Sequence, residues 1–239
     1  ALARSGFVVL VHDTFLWGSR KFPAAEMKAA LRTEAPKEVL EGESASLGTP
    51  SEVAEYNYLA GLHEHLIAKY LNLLGTSLAG VVAHEDRIAL NVLRSRNEVQ
   101  PENIACMGLS GGGNRAGLLR ATAEGLKAAV VVGLMSTYAG LLDHNVHHTW
   151  MFYPYLWARF GDWPDLVACQ APARLLVQYD MDDELFTPEG MQDAHKRLSL
   201  LYRSAGDESA YTGQFYPGPH KFDCQMQDAA VKWLKEVLS

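Results

Sequence analysis

Ser110 stands in the run Asn103-Ile104-Ala105-Cys106-Met107-Gly108-Leu109-Ser110-Gly111-Gly112-Gly113, framed as Gly-x-Ser-x-Gly. A serine hydroxyl is a weak nucleophile near neutral pH and needs a base beside it, itself oriented by a third group. The framing glycines suit a sharp strand-to-helix turn that lifts the hydroxyl clear of a sheet. Gly108 and Gly112 lack the Cβ atoms that would clash where strand and helix cross so closely. The Gly111 N–H would then lie at a helix N-terminus, where partial positive charge stabilises an oxyanion. Two later stretches offer the partners. Asp180-Met181-Asp182-Asp183-Glu184-Leu185-Phe186 follows one apolar run, and Pro217-Gly218-Pro219-His220-Lys221-Phe222 follows a shorter one. Functional groups of a parallel sheet gather beyond the carboxyl ends of its strands, and the order Ser, Asp, His fits the strand-turn-helix serine. His220, in a Pro/Gly-rich loop before a helix, is the candidate base. Among the crowded carboxylates Asp183 is the candidate acid, with Asp182 its main rival.

These residues need a sheet to position them. Residues 6–13 form an apolar, β-branched run that predicts a buried strand. Residues 34–51 are polar and read as an exposed excursion. Helical periodicity covers 52–74 and 77–96, the latter ending in Arg94 and Arg96, favourable at a helix C-terminus. The nucleophile strand (104–107) and its helix (116–124) follow, then an apolar strand over 128–135. Residues 136–172 break this pattern as an aromatic-rich, lid-like insertion with Trp150, Tyr153, Tyr155, Trp157 and Trp163. Strands at 173–179 and 214–216 alternate with helices at 188–204 and 223–238, the first of these with Pro188 at its start. Alternating buried strands and helices predict an α/β fold with a mostly parallel sheet covered on both faces. One domain over 1–239 is the simplest organisation.

The 239 residues suffice for a substantial core, and a composition 48% hydrophobic and 21% charged is ordinary for a globular chain. A net charge of −7 without a basic cluster argues against nucleic acid or an anionic membrane as partner. No apolar stretch approaches a membrane span. Cys106, Cys169 and Cys224 are isolated, and such a sparse, odd set suits a reducing, cytoplasmic-type compartment.

The chain resembles the α/β-hydrolase superfamily, and within it the dienelactone hydrolase-like and acetyl xylan esterase-like bacterial esterases. The resemblance rests on the 7–20 stretch with Trp17, Gly18 and Arg20, on 87–113 with its Gly-Leu-Ser-Gly-Gly-Gly, on 180–186, and on Gly218 to Phe222 around His220. It implies a Ser110–His220–Asp183 triad cleaving a carboxylic ester, with acetyl esters among its substrates. Lactones, amides or carbon–carbon bonds are alternatives, as is a non-catalytic ligand-binding relative. No cofactor or metal is implied. Two departures stand out. The family's strand with a His-Gly oxyanion loop has no counterpart before Phe7, so a missing strand-helix unit is expected, with the second oxyanion donor absent or drawn from residues 15–17. Asp180 also replaces a family glycine.

His144, His147 and His148 fall at i, i+3 and i+4 beside Asp143. That spacing would suit a metal, but no HExxH-type base accompanies it, and a histidine-rich lid wall is the preferred reading. Trp17, His147, His148 and Trp150 are the candidate substrate-binding residues. His63 and His65 read as surface residues.

Overall fold

The computed structural model describes residues 2–36, 51–142 and 148–239. Helices α1 (Ala24–Leu31), α2 (Ser51–Leu73) and α3 (Leu78–Arg94) precede β1 (Ala105–Leu109). Then come α4 (Gly111–Thr122), β2 (Ala128–Val132), α5 (Tyr138–Leu142), α6 (Trp163–Val167), β3 (Arg174–Asp180), α7 (Pro188–Ser204), β4 (Tyr211–Tyr216) and α8 (Cys224–Leu238). Among the described residues the four strands form one parallel sheet in the order β1-β2-β3-β4. This is the expected α/β architecture.

Side chains alternate across a strand, and in β2 and β3 both faces are buried. Ala129 and Val131 of β2, with Leu175, Val177 and Tyr179 of β3, pack on α4, α6 and α7. Ala128, Val130, Val132 and Leu176 point the other way, onto Met226, Ala230 and Leu234 of α8. A continuous apolar run such as Ala-Ala-Val-Val-Val is what a strand covered on both faces requires, and each buried valine contributes about 1.5–3 kcal/mol. Local caps set the helix starts. The side chains of Ser77, Thr187 and Asp223 accept the backbone N–H groups of Gly80, Gly190 and Met226 at the heads of α3, α7 and α8. Pro188 sits at the first turn of α7 as read from sequence.

Residues 6–13 depart from expectation. They form no strand, and Val8, Val9, Leu10 and Val11 are 51, 43, 42 and 85% exposed. Residues 7–12 face residues 105–107 of β1 across a cleft of about 600 Å³. Among the described residues no strand takes the backbone hydrogen bonds of this run. β1 pairs with β2 alone among the described residues, and all five of its residues are half-buried. The insertion is also more than a lid. Trp163 is fully buried in the main core with Phe152, and its indole N–H donates to the Phe152 carbonyl at 3.0 Å. The expected exposed excursion lies largely outside the described residues.

Candidate active site

Ser110 connects β1 to α4 with φ 55° and ψ −121°, a conformation that a non-glycine residue adopts only when its surroundings force it. Those surroundings are visible. The Ser110 N–H donates to the Val132 carbonyl at 2.9 Å, and the Asn114 N–H to the Ser110 carbonyl at 2.9 Å. A side chain at Gly108 would overlap the backbone carbonyl of Gly112, and one at Gly113 would begin 3.0 Å from the Val132 carbonyl oxygen. Gly112 itself has open space around it; its backbone, rather than a missing Cβ, is what approaches the strand. The turn puts the Gly111 N–H in the first turn of α4, as the sequence suggests.

The candidate acid and base come from the loops past β3 and β4. The His220 Nδ1–H donates to Asp183 Oδ2 at 2.6 Å, with the Asp183 side chain 1% exposed. The other carboxylate oxygen of Asp183 accepts the Leu185 N–H at 2.9 Å, so the acid is fixed from both sides. Asp182 turns outward. Its Oδ2 accepts the Gly218 N–H at 2.7 Å while its own N–H donates to the Gly218 carbonyl at 3.1 Å, clamping the acid loop to the histidine loop. The hydrogen bond to Asp183, first, and the charges of Asp183 and Asp180 raise the His220 pKa above its ordinary value, against the opposing effect of burial.

Bringing His220 toward Ser110 requires crossing sheet width. Among the described residues β1 and β4 are the outer strands of four, and neighbouring strands lie about 4.8 Å apart. The space is found at Gly133, which follows β2 with φ 56°. A Cβ there would start 3.1 Å from His220 Cε1, 3.1 Å from Asp180 Oδ2 and 3.1 Å from Leu109 Cδ1. The imidazole thus lies against the residue that follows Val132, whose carbonyl holds Ser110. No hydrogen bond joins Ser110 Oγ to His220 among the described residues, a contact that commonly tightens only when substrate is bound.

An apolar, largely aromatic cluster reaches the candidate site through Met151. Trp17 and Trp150 share an apolar cluster with Phe15, Leu16, Phe22, Leu78 and Met151. Met151 was not singled out in the sequence, yet its Cε lies 3.6 Å from where a side chain on Gly111 would begin, so it overhangs the candidate oxyanion donor. Trp150 is held by Glu64, which accepts its backbone N–H at 2.6 Å, and by His65, which accepts its indole N–H at 2.8 Å. His148 stacks between Phe152 and Phe186, with centroids 5.2 and 5.1 Å away, beside the acid loop. His63 is buried against Phe22 rather than at the surface, and burial lowers its pKa. His144 and His147 lie outside the described residues. In the loop weighed as a second oxyanion donor, the Phe15 N–H already donates to Glu85 and the Trp17 N–H to the Thr14 carbonyl.

The ligand atoms of Asp180, Asp183 and His220 lie within 4.8 Å of one another, close enough for a small cation. His220 Nδ1 is already engaged by Asp183, however, and the group reads as an acid–base set rather than a metal centre.

No family model matches the chain. Over 186 residues it is 26% identical to the protein YtaP of Bacillus subtilis (strain 168), provisionally named a hydrolase; the match takes in 74% of this chain and 60% of YtaP. Among solved structures it is similar to a methylesterase (TM-score 0.52, 20% identity, 67% of this chain and 35% of that one). It is also similar to a glucuronoyl esterase from Solibacter usitatus (0.55, 15%, 66% and 48%). A provisionally named acetyl xylan esterase from Bacteroides fragilis NCTC 9343 gives 0.56 and 15%, over 74% of this chain and 53% of that one. The chain therefore spans about 60% of the curated relative and about half or less of these structures. A parallel sheet with helices on both faces, a serine in a strained strand-to-helix turn and these neighbours agree: the chain has the α/β-hydrolase fold.

Proposed function

We propose that this chain carries the catalytic centre of a serine hydrolase that cleaves a carboxylic ester through an acyl-enzyme. One observation carries the reading: the 2.6 Å bond from His220 to the buried Asp183 carboxylate, at the sheet end where Ser110 is held in its strained turn. With Nδ1 donating to Asp183, the Nε2 of a neutral imidazole is left as the acceptor for the Ser110 proton. Ser110 Oγ then attacks the ester carbonyl, and the Gly111 N–H stabilises the oxyanion. His220 returns the proton to the leaving alcohol, and a water activated by the same imidazole releases the acid.

The surroundings support a small acyl group. Met151 hangs over Gly111, with Trp17 and Trp150 in the same apolar cluster and His148 beside the acid loop. Such walls favour an acetyl ester over a bulky acid, which suits the name of the acetyl xylan esterase neighbour and not that of the glucuronoyl esterase. We read 1–239 as one domain, with 136–172 contributing both core and pocket wall. The test is burst release from p-nitrophenyl acetate with a Ser110→Ala control, combined with labelling by a fluorophosphonate. A burst and a label on Ser110, both lost in Ser110→Ala, are expected. Equal hydrolysis by the two proteins would remove Ser110 as nucleophile.

A further inference from the structure

Asp180 occupies a position that the mechanism above does not use. It ends β3, pairs in register with Tyr216 of β4, and its residue is 1% exposed. Its Oδ2 accepts the backbone N–H of Lys221, the residue after the base, at 3.1 Å. Its Oδ1 is buried and has no hydrogen-bond partner. Oδ2 and His220 Cε1 both abut the bare Cα of Gly133. A buried carboxylate with one empty oxygen is a costly group to keep. The family pattern to which this loop is similar places a glycine here, so backbone geometry does not demand the acid.

We propose that Asp180 is a positioning residue, a second carboxylate that fixes the His220 loop through Lys221 and stabilises His220 as it becomes positively charged during acyl transfer. The proposal rests on the triad reading. Its logic is differential. When His220 is neutral, the positive charge acting on Asp180 is that of Lys221, itself paired to Asp223; when His220 takes the Ser110 proton, a second positive charge appears within about 5 Å of it, and that added stabilisation arises only as the charge develops. The surrounding ionisable groups fit this role. Asp183 on the same loop adds negative charge, and His220 and Lys221 on the facing loop add positive charge, with Lys221 Nζ itself paired to Asp223 at 2.8 Å. Gly133, just past β2, and Leu109 from β1 contribute no ionisable group, and Tyr216 of β4, opposite Asp180 in register, sends its hydroxyl to Gln214. Burial, first, and the Asp183 charge raise the Asp180 pKa, while the Lys221 N–H and the His220 and Lys221 charges lower it. The Asp180 charge in turn contributes to the raised pKa of His220.

Asp180→Asn removes the charge and keeps an acceptor for Lys221. Two readouts follow it: the NMR titration of His220, assigned by comparison with His220→Asn, and the pH profile of kcat/KM on p-nitrophenyl acetate. At this separation, partly screened by solvent, the loss lowers the His220 pKa by on the order of one pH unit. The acid limb of kcat/KM should fall to lower pH by the same amount, with kcat at its plateau down roughly tenfold. Asp180→Gly, which restores the family residue and removes the carboxyl altogether, provides the same comparison if the asparagine variant fails to fold. A His220 titration superimposable on that of the unsubstituted chain would overturn the proposal. Absence of fluorophosphonate labelling at Ser110 would instead sink the triad reading, and the NMR titration would still decide whether Asp180 acts on His220.

Discussion

Replacing Asp183 by alanine separates the buried acid from its sequence neighbour Asp182. Asp183 Oδ2 is 2.6 Å from His220 Nδ1 and its side chain is 1% exposed, so the bond is both short and sheltered. A hydrogen bond to a charged group contributes about 1.5–3 kcal/mol. The Coulomb attraction of a carboxylate about 4 Å from the imidazolium centre adds roughly 1 kcal/mol if fully water-screened and about 4 kcal/mol at the effective dielectric of a protein surface. Both are felt chiefly once His220 is protonated, which places them in the transition state. A combined loss of about 4 kcal/mol is on the order of a thousandfold in kcat. Loss of the tautomer that leaves Nε2 free to accept pushes this toward ten-thousandfold. KM should stay within about threefold, because Asp183 touches no part of the acyl pocket. Asp182→Ala loses only the outward clamp on Gly218, and should cost less than about tenfold. The assay is steady-state hydrolysis of p-nitrophenyl acetate, normalised by fluorophosphonate titration of active sites. Activity of Asp183→Ala within tenfold of the unsubstituted chain, or an equally large loss in Asp182→Ala, would refute this reasoning.

Because the Asp183 bond and nearby carboxylates raise the His220 pKa, the acid limb of kcat/KM should lie above the ordinary histidine value of about 6.5, read from a pH–rate profile. The sign for stability is opposite: this pair's contribution is complete below about pH 6.5 and fades as pH rises through the elevated folded-state value, which chemical denaturation across that window would follow. Gly108→Ala should destabilise by about 3 kcal/mol or more, lowering Tm by roughly 6–12 °C by calorimetry, since its Cβ meets the Gly112 carbonyl and no rotamer relieves it. Met151→Ala should shift preference from acetyl toward butyryl esters by about tenfold in relative kcat/KM, measured on an acyl-length series, because it clears the space over Gly111.

What was legible in the sequence followed from strong local rules. The elbow around Ser110 needs small residues at fixed offsets, and α7 carries its start signal in Thr187 and Pro188. Ser110, Asp183 and His220 could be ranked because each follows an apolar run. Pairing is a different matter. Residues 6–13 have the composition of a strand, but composition does not say whether a partner edge lies within reach. β4 begins at Tyr211 rather than 214, since Thr212 and Gly213 gain strand geometry from β3 rather than from propensity. Met151 left no signal at all: a single methionine in an aromatic stretch reveals nothing of what it overhangs. Asp180 stood out in the sequence as one of four crowded carboxylates and as a replacement for a glycine, but its burial depends on loops that close over the strand end.

The two-way bond between Asp182 and Gly218 has a consequence for how the candidate site is lost. The Asp182 carboxylate accepts the Gly218 N–H and the Gly218 carbonyl accepts the Asp182 N–H, so the loops that carry Asp183 and His220 are joined by more than the 2.6 Å bond between those side chains. Segments that share their bonds open as one cooperative unit. Asp183 and His220 should therefore be released together, in a single step, rather than one before the other.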